Sequence, residues 1–481
     1  MMMRRSHSAG PPGHRAAGRL RRPRSLARGH VLLAGAVAIA GIAALRLPSS
    51  GTSAEVQGAP LDPRPSCAGS ALCGAATSLV MATRTSRPDM VLPPAAAESP
   101  SPVDLDQVML AASGDHYEAQ LKDGRRAILT LDPVLQRYAE QLLAEARAPR
   151  GAIVAMAPDG RILALAGRRS EPVAAGRRSK PGDAAASAAF DWRVATAVWA
   201  PAASVFKLVT ASALVAAGVD PADKVCFHGG LRSVLESNLR DDKHDSRCES
   251  LTYGVAHSNN AILGKLAFQK LEPTALSRFA HALGIAEAIP GTELSGGAGA
   301  VDIPAVRDLG FAQAAAGFSG SQLSAVGGAL LAVTFADDGE QPVPRIVASI
   351  DGVAPPVPAR RRAVTAEVAR AVGRMMMATC EIGSASRSFG RHQAIHVAGK
   401  TGTLTRTEPF YMEHSWFVGY APAERPEIIV SVVLGNPENW HLRGHEAARR
   451  LIDRALDHAG VPSGREKDRT AKITSTRRVG W

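Results

Sequence analysis

Two hydrophobic periods run through this chain. Residues 133–146, PVLQRYAEQLLAEA, place Val134, Leu135, Tyr138, Leu142 and Leu143 on one face of a helix. The next stretch, GAIVAMAPDGRILALAG, has two apolar runs around Pro158-Asp159-Gly160, which predicts a β-hairpin. From about 190 to 330, helical patterns such as SVFKLVTASALVAAG and NNAILGKLAFQKL alternate with glycine and proline breaks. Strand patterns return in AIHVAGKT, HSWFVGYA and EIIVSVVLG. A last helix, EAARRLIDRALDHAG, puts Ala448, Leu451, Ile452, Ala455 and Leu456 on one face, with Gly460 as its cap. Strands at both ends with helices between predict an α+β fold, an antiparallel β-sheet covered by helices with an all-helical insertion.

Composition adds the ends of the chain to this picture. The net charge is +12 over 481 residues, but residues 1–29 hold eight arginines and no acid, and residues 464–481 hold six basic and two acidic side chains. The middle is therefore close to neutral, and the basic balance does not argue for a nucleic-acid-binding body. Val31 to Leu45 are fifteen uncharged, mostly apolar residues. That length fits either a short signal anchor or a cleaved signal core. The anchor is preferred, because no convincing small-x-small cleavage site follows directly. Positive charge ahead of it puts the N-terminus in the cytoplasm and the body outside the plasma membrane. Residues 48–114 are rich in Pro, Ala, Ser and Gly and read as a linker. The expected organisation is a cytoplasmic tail (1–29), a single-pass anchor (30–47), the linker (48–114), one domain (115–462) and a basic disordered tail (463–481).

Outside the membrane disulfides persist. Cys226–Cys248 and Cys67–Cys73 are plausible pairs, with Cys380 left over. The alternative for the first pair is a zinc site of Cys226, His228, His244 and Cys248. The compartment favours the disulfide.

Three short motifs carry candidate chemistry. In APAASVFKLVT, Ser204 and Lys207 stand three residues apart, so one helical face brings an amine to a hydroxyl. A buried amine near a second cation loses its proton easily and becomes a base. In AHSNNAIL, Ser258 is a candidate proton relay and Asn260 a candidate partner for a substrate amide, although a helix N-cap would also account for Ser or Asn here. In AGKTGTLT, Lys400 supplies a cation, Thr401 and Thr403 supply hydroxyls, and Gly402 lets another backbone come close. Each motif alone is weak; their order and spacing make the set specific.

The trio Ser-x-x-Lys, Ser-x-Asn, Lys-Thr-Gly resembles the transpeptidase domain of penicillin-binding proteins. The likeness extends from about residue 128 to 460, through ILTLDPVLQRYAEQLL, the hairpin, AAAGFSGSQLSAVGGALLAVTFADDGEQPVPRIV and SWFVGYAPAERPEIIVSVVL. The resemblance implies that Ser204 is acylated, with Lys207 as its base. Ser258 would assist protonation and Asn260 orient the substrate. Lys400, Thr401 and Thr403 would hold the terminal carboxylate of a peptidoglycan stem peptide, beside Gly402. The N–H groups of Ser204 and Thr403 would form the oxyanion hole. It further implies D,D-transpeptidation without metal or other cofactor, β-lactam antibiotics as ligands, and cell-wall synthesis machinery as partner. A D,D-carboxypeptidase and a non-catalytic β-lactam-binding scaffold are the alternatives. The chain departs from the family in one telling place: where members often carry Pro-Gly-Ser, it reads Pro201-Ala202-Ala203-Ser204.

Overall fold

The computed structural model describes residues 103–461, apart from 105–106, 112, 171–188, 286–287, 290, 391–394 and 409. The expected anchor, the linker up to 102, Cys67–Cys73 and the basic tails lie outside the described residues. Among the described residues, no helix is long and apolar enough to cross a membrane.

The organising element is a six-stranded sheet. Its strands are β1 (Arg150–Met156), β2 (Ile162–Arg169), β3 (Ala189–Phe190), β4 (Ala398–Arg406), β5 (Met412–Ala421) and β6 (Ile428–Asn436). They lie in the order β4-β5-β6-β1-β2-β3, and every pair is antiparallel. The predicted hairpin β1–β2 is thus sealed against the last strand of the domain, with Val432 opposite Ile153. Both faces of β1 are covered, which explains why its sequence is a continuous apolar run without alternation.

On one face, Ile153 and Ala155 of β1 and Val430, Val432 and Leu434 of β6 meet α1 (Pro133–Ala146) and the closing helix Gly444–His458. All five residues predicted for the inner face of the closing helix are buried. Gly460 follows at a φ of 69°, where the N–H of Val461 returns to the carbonyl of Leu456 at 2.9 Å and closes the helix end. In α1, Leu135, Leu142 and Leu143 are buried as expected, while Val134 and Tyr138 are only half-buried. The inner face also holds Ala139, Ala146 and Gln136, whose amide bonds both the N–H (2.7 Å) and the carbonyl (3.2 Å) of Leu165 in β2.

On the opposite face, Val154 and Met156 of β1, Val418 of β5 and Val433 of β6 pack against the helical region. That region holds α2 (Lys207–Ala216), α3 (Leu251–Ala256), α4 (Asn260–Lys270), α5 (Leu309–Ala315), α6 (Ala325–Ala336) and α7 (Ala366–Glu381). The expected linker boundary at 114 needs correcting. Met109–Leu110 pairs with Tyr117–Gln120 in a separate four-stranded sheet, and Val103 is buried. The prolines and alanines of the preceding stretch hide the short apolar segment that makes this possible.

Candidate active site

Ser204 sits where a strand-like segment becomes a helix. Ala200–Pro201 pairs with Ser321–Leu323, and the chain then turns through a short 3-10 helix, Ala203–Phe206, before α2 begins at Lys207. The expected helical face does bring Ser204 to Lys207, but Ser204 lies ahead of the α-helix, in the tighter 3-10 segment. The change helps its chemistry, because residues i and i+3 of a 3-10 helix eclipse one another. Lys207 Nζ therefore stands 2.9 Å from Ser204 Oγ.

The turn is held from three sides. Trp416 Nε1 donates to the carbonyl of Pro201 at 2.9 Å, and the N–H of Ala202 donates to the carbonyl of Ser321 at 3.1 Å. Gly317 comes so near that a Cβ there would lie 2.0 Å from the carbonyl oxygen of Ala203. Under this confinement Ala203 adopts a φ of 50°, the left-handed region that favours glycine. The family's Pro-Gly-Ser would meet that geometry at no cost, whereas alanine carries about 1–2 kcal/mol of strain.

Lys207 is fully buried. Its Nζ has three neighbours: Ser204 Oγ, Asn260 Oδ1 at 2.7 Å and the carbonyl of Ala316 at 2.5 Å. Burial first, and the nearby Lys400 second, hold its pKa well below the ordinary lysine value, so the neutral amine is easier to reach than for an exposed lysine. A neutral amine has two N–H donors and one lone pair. Asn260 Oδ1 and the Ala316 carbonyl can only accept, so they take both hydrogens. Ser204, the one neighbour able to donate, is left facing the lone pair.

The second motif is divided differently from expectation. The N-cap of α4 is Asn259, whose Oδ1 accepts from Ile262 N at 3.0 Å. That leaves Ser258 and Asn260 free of the capping role. Ser258 takes a φ of 56°, which turns the chain sharply before α4. Asn260 is bound on its other side as well: its N–H donates to the carbonyl of Gly230 (2.7 Å) and its Nδ2 to that of Leu231 (3.2 Å). These carbonyls belong to a loop closed by the Cys226–Cys248 disulfide, at paired positions of a two-stranded hairpin. The disulfide removes both sulfurs from the zinc alternative. His228 instead bonds Asp245 at 2.7 Å and Ser237 at 3.0 Å, and His244 bonds Asp242 at 2.5 Å. Cys380 is free and buried.

The third motif lies on β4, the edge strand of the sheet, so one side of its backbone is not taken up by a neighbouring strand. At Gly402 a Cβ would press on Val205 Cγ2 and Trp416 Cβ at 3.2 Å and on the Ala202 carbonyl at 3.3 Å. Glycine here lets the strand lie against the turn that carries Ser204. Strand alternation sends Thr401 and Thr403 to one face and Lys400 to the other. The long lysine side chain curls back to donate to Ser258 Oγ at 3.1 Å and to the carbonyl of Thr401 at 2.9 Å. Thr403 is exposed, while Thr401 is half-buried, its Oγ1 2.6 Å from Ser384 Oγ. Burial lowers the Lys400 pKa from the ordinary 10.5 to about 7.

Six of the eight motif residues are thus joined through direct contacts into two clusters, Ser204–Lys207–Asn260 and Ser258–Lys400–Thr401, with Gly402 packed against the turn that carries Ser204. Thr403 continues the same strand. Three groups escaped the sequence reading: the Ala316 carbonyl, the Gly230–Leu231 backbone and Ser384. Among the described residues, no group of three or more His, Cys, Asp or Glu is arranged to hold a metal ion.

The geometry gives a test by pH. The expected roles require Lys207 to be neutral, to accept the Ser204 proton, and Lys400 to be charged, to attract a carboxylate. Burial holds both amines below the ordinary lysine value, Lys207 well below it and Lys400 at about 7. The second-order rate of acylation by a carboxylate-bearing β-lactam should rise from acid pH as Lys207 deprotonates. It should fall above about 7 as Lys400 does. A rate still climbing through pH 9 would remove the cationic role of Lys400.

The serine turn with its left-handed Ala203, the buried Lys207 amine and the edge strand that carries Lys400 belong to one region between the sheet and the helices. Residues 151–455 match the model of the penicillin binding protein transpeptidase domain, and the chain belongs to that family. It is 27% identical over 250 residues to the peptidoglycan D,D-transpeptidase PbpA of Mycobacterium tuberculosis, over 49% of this chain and 50% of that protein. It is also 27% identical over 256 residues to PbpA of Mycolicibacterium smegmatis, over 49% of each. The chain spans about half the length of the curated relatives it matches. In fold it is similar to the crystal structure of PBPA from M. tuberculosis, with a TM-score of 0.54 and 22% identity over 68% of this chain and 80% of that one. It is likewise similar to penicillin binding protein 3 of the same organism, with a TM-score of 0.57 and 22% identity over 76% and 89%.

Proposed function

We propose that this protein is a serine D,D-transpeptidase that cross-links peptidoglycan stem peptides through an acyl-enzyme on Ser204. The observation that carries the proposal is the contact of the buried Lys207 Nζ with Ser204 Oγ at 2.9 Å, its other two partners, Asn260 Oδ1 and the Ala316 carbonyl, being acceptors only. Two relatives named peptidoglycan D,D-transpeptidase PbpA support the substrate class.

In this reading Ser204 Oγ attacks the carbonyl carbon of the penultimate D-Ala, and its proton passes to Lys207 Nζ. The negative charge on the carbonyl oxygen is met by the N–H groups of Ser204 and Thr403. The C–N bond breaks, and the departing D-Ala amine takes a proton from Ser258, which Lys400 Nζ contacts; Ser258 is made good by the proton that Lys207 took from Ser204, so both groups return to their starting state. Lys400, Thr401 and Thr403 receive the terminal carboxylate, and Asn260 aligns the donor amide. An amine of a second strand then attacks the ester carbonyl and gives its proton to Lys207 Nζ; the bond from the acyl carbon to Ser204 Oγ breaks, and Lys207 returns the proton to Oγ, restoring the hydroxyl. A β-lactam would enter the first half of this cycle and stop at the ester.

The chain is further proposed to be tethered in the plasma membrane by its apolar segment at 31–45, with the domain outside the cytoplasm among the cell-wall synthesis machinery. The cationic leader and the fifteen-residue apolar run support this.

Incubation with a D-Ala-D-Ala peptide and a D-amino acid acceptor tests the activity. Exchange of the terminal D-Ala for the acceptor is expected by mass spectrometry. Trimmed peptide alone would make the protein a carboxypeptidase, and unchanged peptide would leave the scaffold reading.

A further inference from the structure

Ser384 belongs to none of the three motifs, yet it touches two of them. It follows α7 in the turn Gly383–Ser384. Its N–H donates to the carbonyl of Ala256 at 2.9 Å, two residues ahead of Ser258. The fit is close enough that a Cβ on Gly383 would lie 2.1 Å from that carbonyl oxygen. Its hydroxyl is 2.6 Å from Thr401 Oγ1. This turn therefore spans the gap between the serine of the second motif and the strand of the third. Ser384 is exposed and Thr401 half-buried, so the hydroxyl pair is open to solvent on one side.

Either hydroxyl can donate in the free protein. A carboxylate accepts hydrogen bonds and donates none. Once it arrives, Thr401 has to donate to it, and the pair resolves in one direction only: Ser384 donates to Thr401 Oγ1, and Thr401 turns its hydrogen into the cleft. Resting on the function proposed above, we infer that Ser384 is a specificity residue for donors with a free terminal carboxylate. It acts by orienting the Thr401 hydroxyl. A hydroxyl that is itself hydrogen-bonded is polarised and donates more strongly.

The test compares acylation of the full chain by benzylpenicillin and by its methyl ester, which lacks the charged carboxylate. Wild-type protein should prefer the free acid. Ser384→Ala should lower the second-order rate with the free acid by about threefold to tenfold, the range of one ordinary hydrogen bond, and leave the ester rate unchanged. Ser384→Thr should keep the preference, since its hydroxyl can make the same bond. Equal losses with both compounds would reduce Ser384 to a structural support and overturn the inference, as would an unchanged preference in Ser384→Ala. Failure of wild-type protein to react with either compound would instead bring down the acyl-enzyme reading on which the inference stands.

Discussion

Ser204→Ala is expected to abolish covalent labelling by a fluorescent β-lactam while leaving the protein folded. Ser204 Oγ is the only hydroxyl within reach of Lys207 Nζ among that amine's three partners, so no neighbouring nucleophile inherits the base. The structural cost is small. Ser204 is partly exposed, and Lys207 keeps both of its acceptors. Loss of one hydrogen bond amounts to about 1 kcal/mol, a shift in Tm of about 3 °C or less for a domain of this size. Gel fluorescence, peptide mapping of the wild-type adduct and thermal melts together check the result. An adduct mapped to another residue, or labelling that survives in the variant, would remove Ser204 from the nucleophile's role.

Lys207→Met should be nearly as damaging to activity, for a separate reason. Methionine fills a similar volume but cannot take a proton. The acylation rate should fall by about 10²- to 10⁴-fold, the usual contribution of a positioned base. Stability should move the other way. A group whose folded pKa is depressed destabilises the native state as pH falls below its unfolded pKa. Between pH 10.5 and the folded value, the unfolded chain holds a proton that the native chain has lost. Lys400 adds the same dependence from 10.5 down to about 7. Wild-type stability should therefore decline on acidification through this window, and Lys207→Met should decline less and melt no lower than wild type near pH 7. Lys207→Arg is the counterpart. A guanidinium stays charged in the same buried space, so this variant should be both inactive and destabilised. A Lys207→Met protein that acylates at the wild-type rate would show that another group accepts the proton.

Much of this arrangement could be read from residue order. Periodicity placed the closing helix correctly, because Ala448 to Leu456 face one continuous core and have no competing role. The hairpin was legible from its turn and its two apolar runs. The three motifs were legible because their side chains carry the chemistry. What escaped was written in backbone rather than side chains. The carbonyls of Ala316, Gly230 and Leu231 hold Lys207 and Asn260, and a backbone carbonyl leaves no mark of its role in the residue that bears it. Gln136 and Trp416 look ordinary in sequence, since their importance comes from partners 29 and 215 residues away. The left-handed backbone at Ala203 was hidden for the opposite reason. Alanine gives no hint of a conformation that glycine would have announced.

Ala203 also links chemistry to folding. Freed of Gly317 and Trp416, it would relax to an ordinary backbone angle and swing the adjoining serine off its amine. The nucleophile is thus armed only by the assembled whole, and a fragment or a half-melted intermediate would be chemically silent. Reactivity toward a β-lactam consequently reports on tertiary integrity as much as on any single side chain.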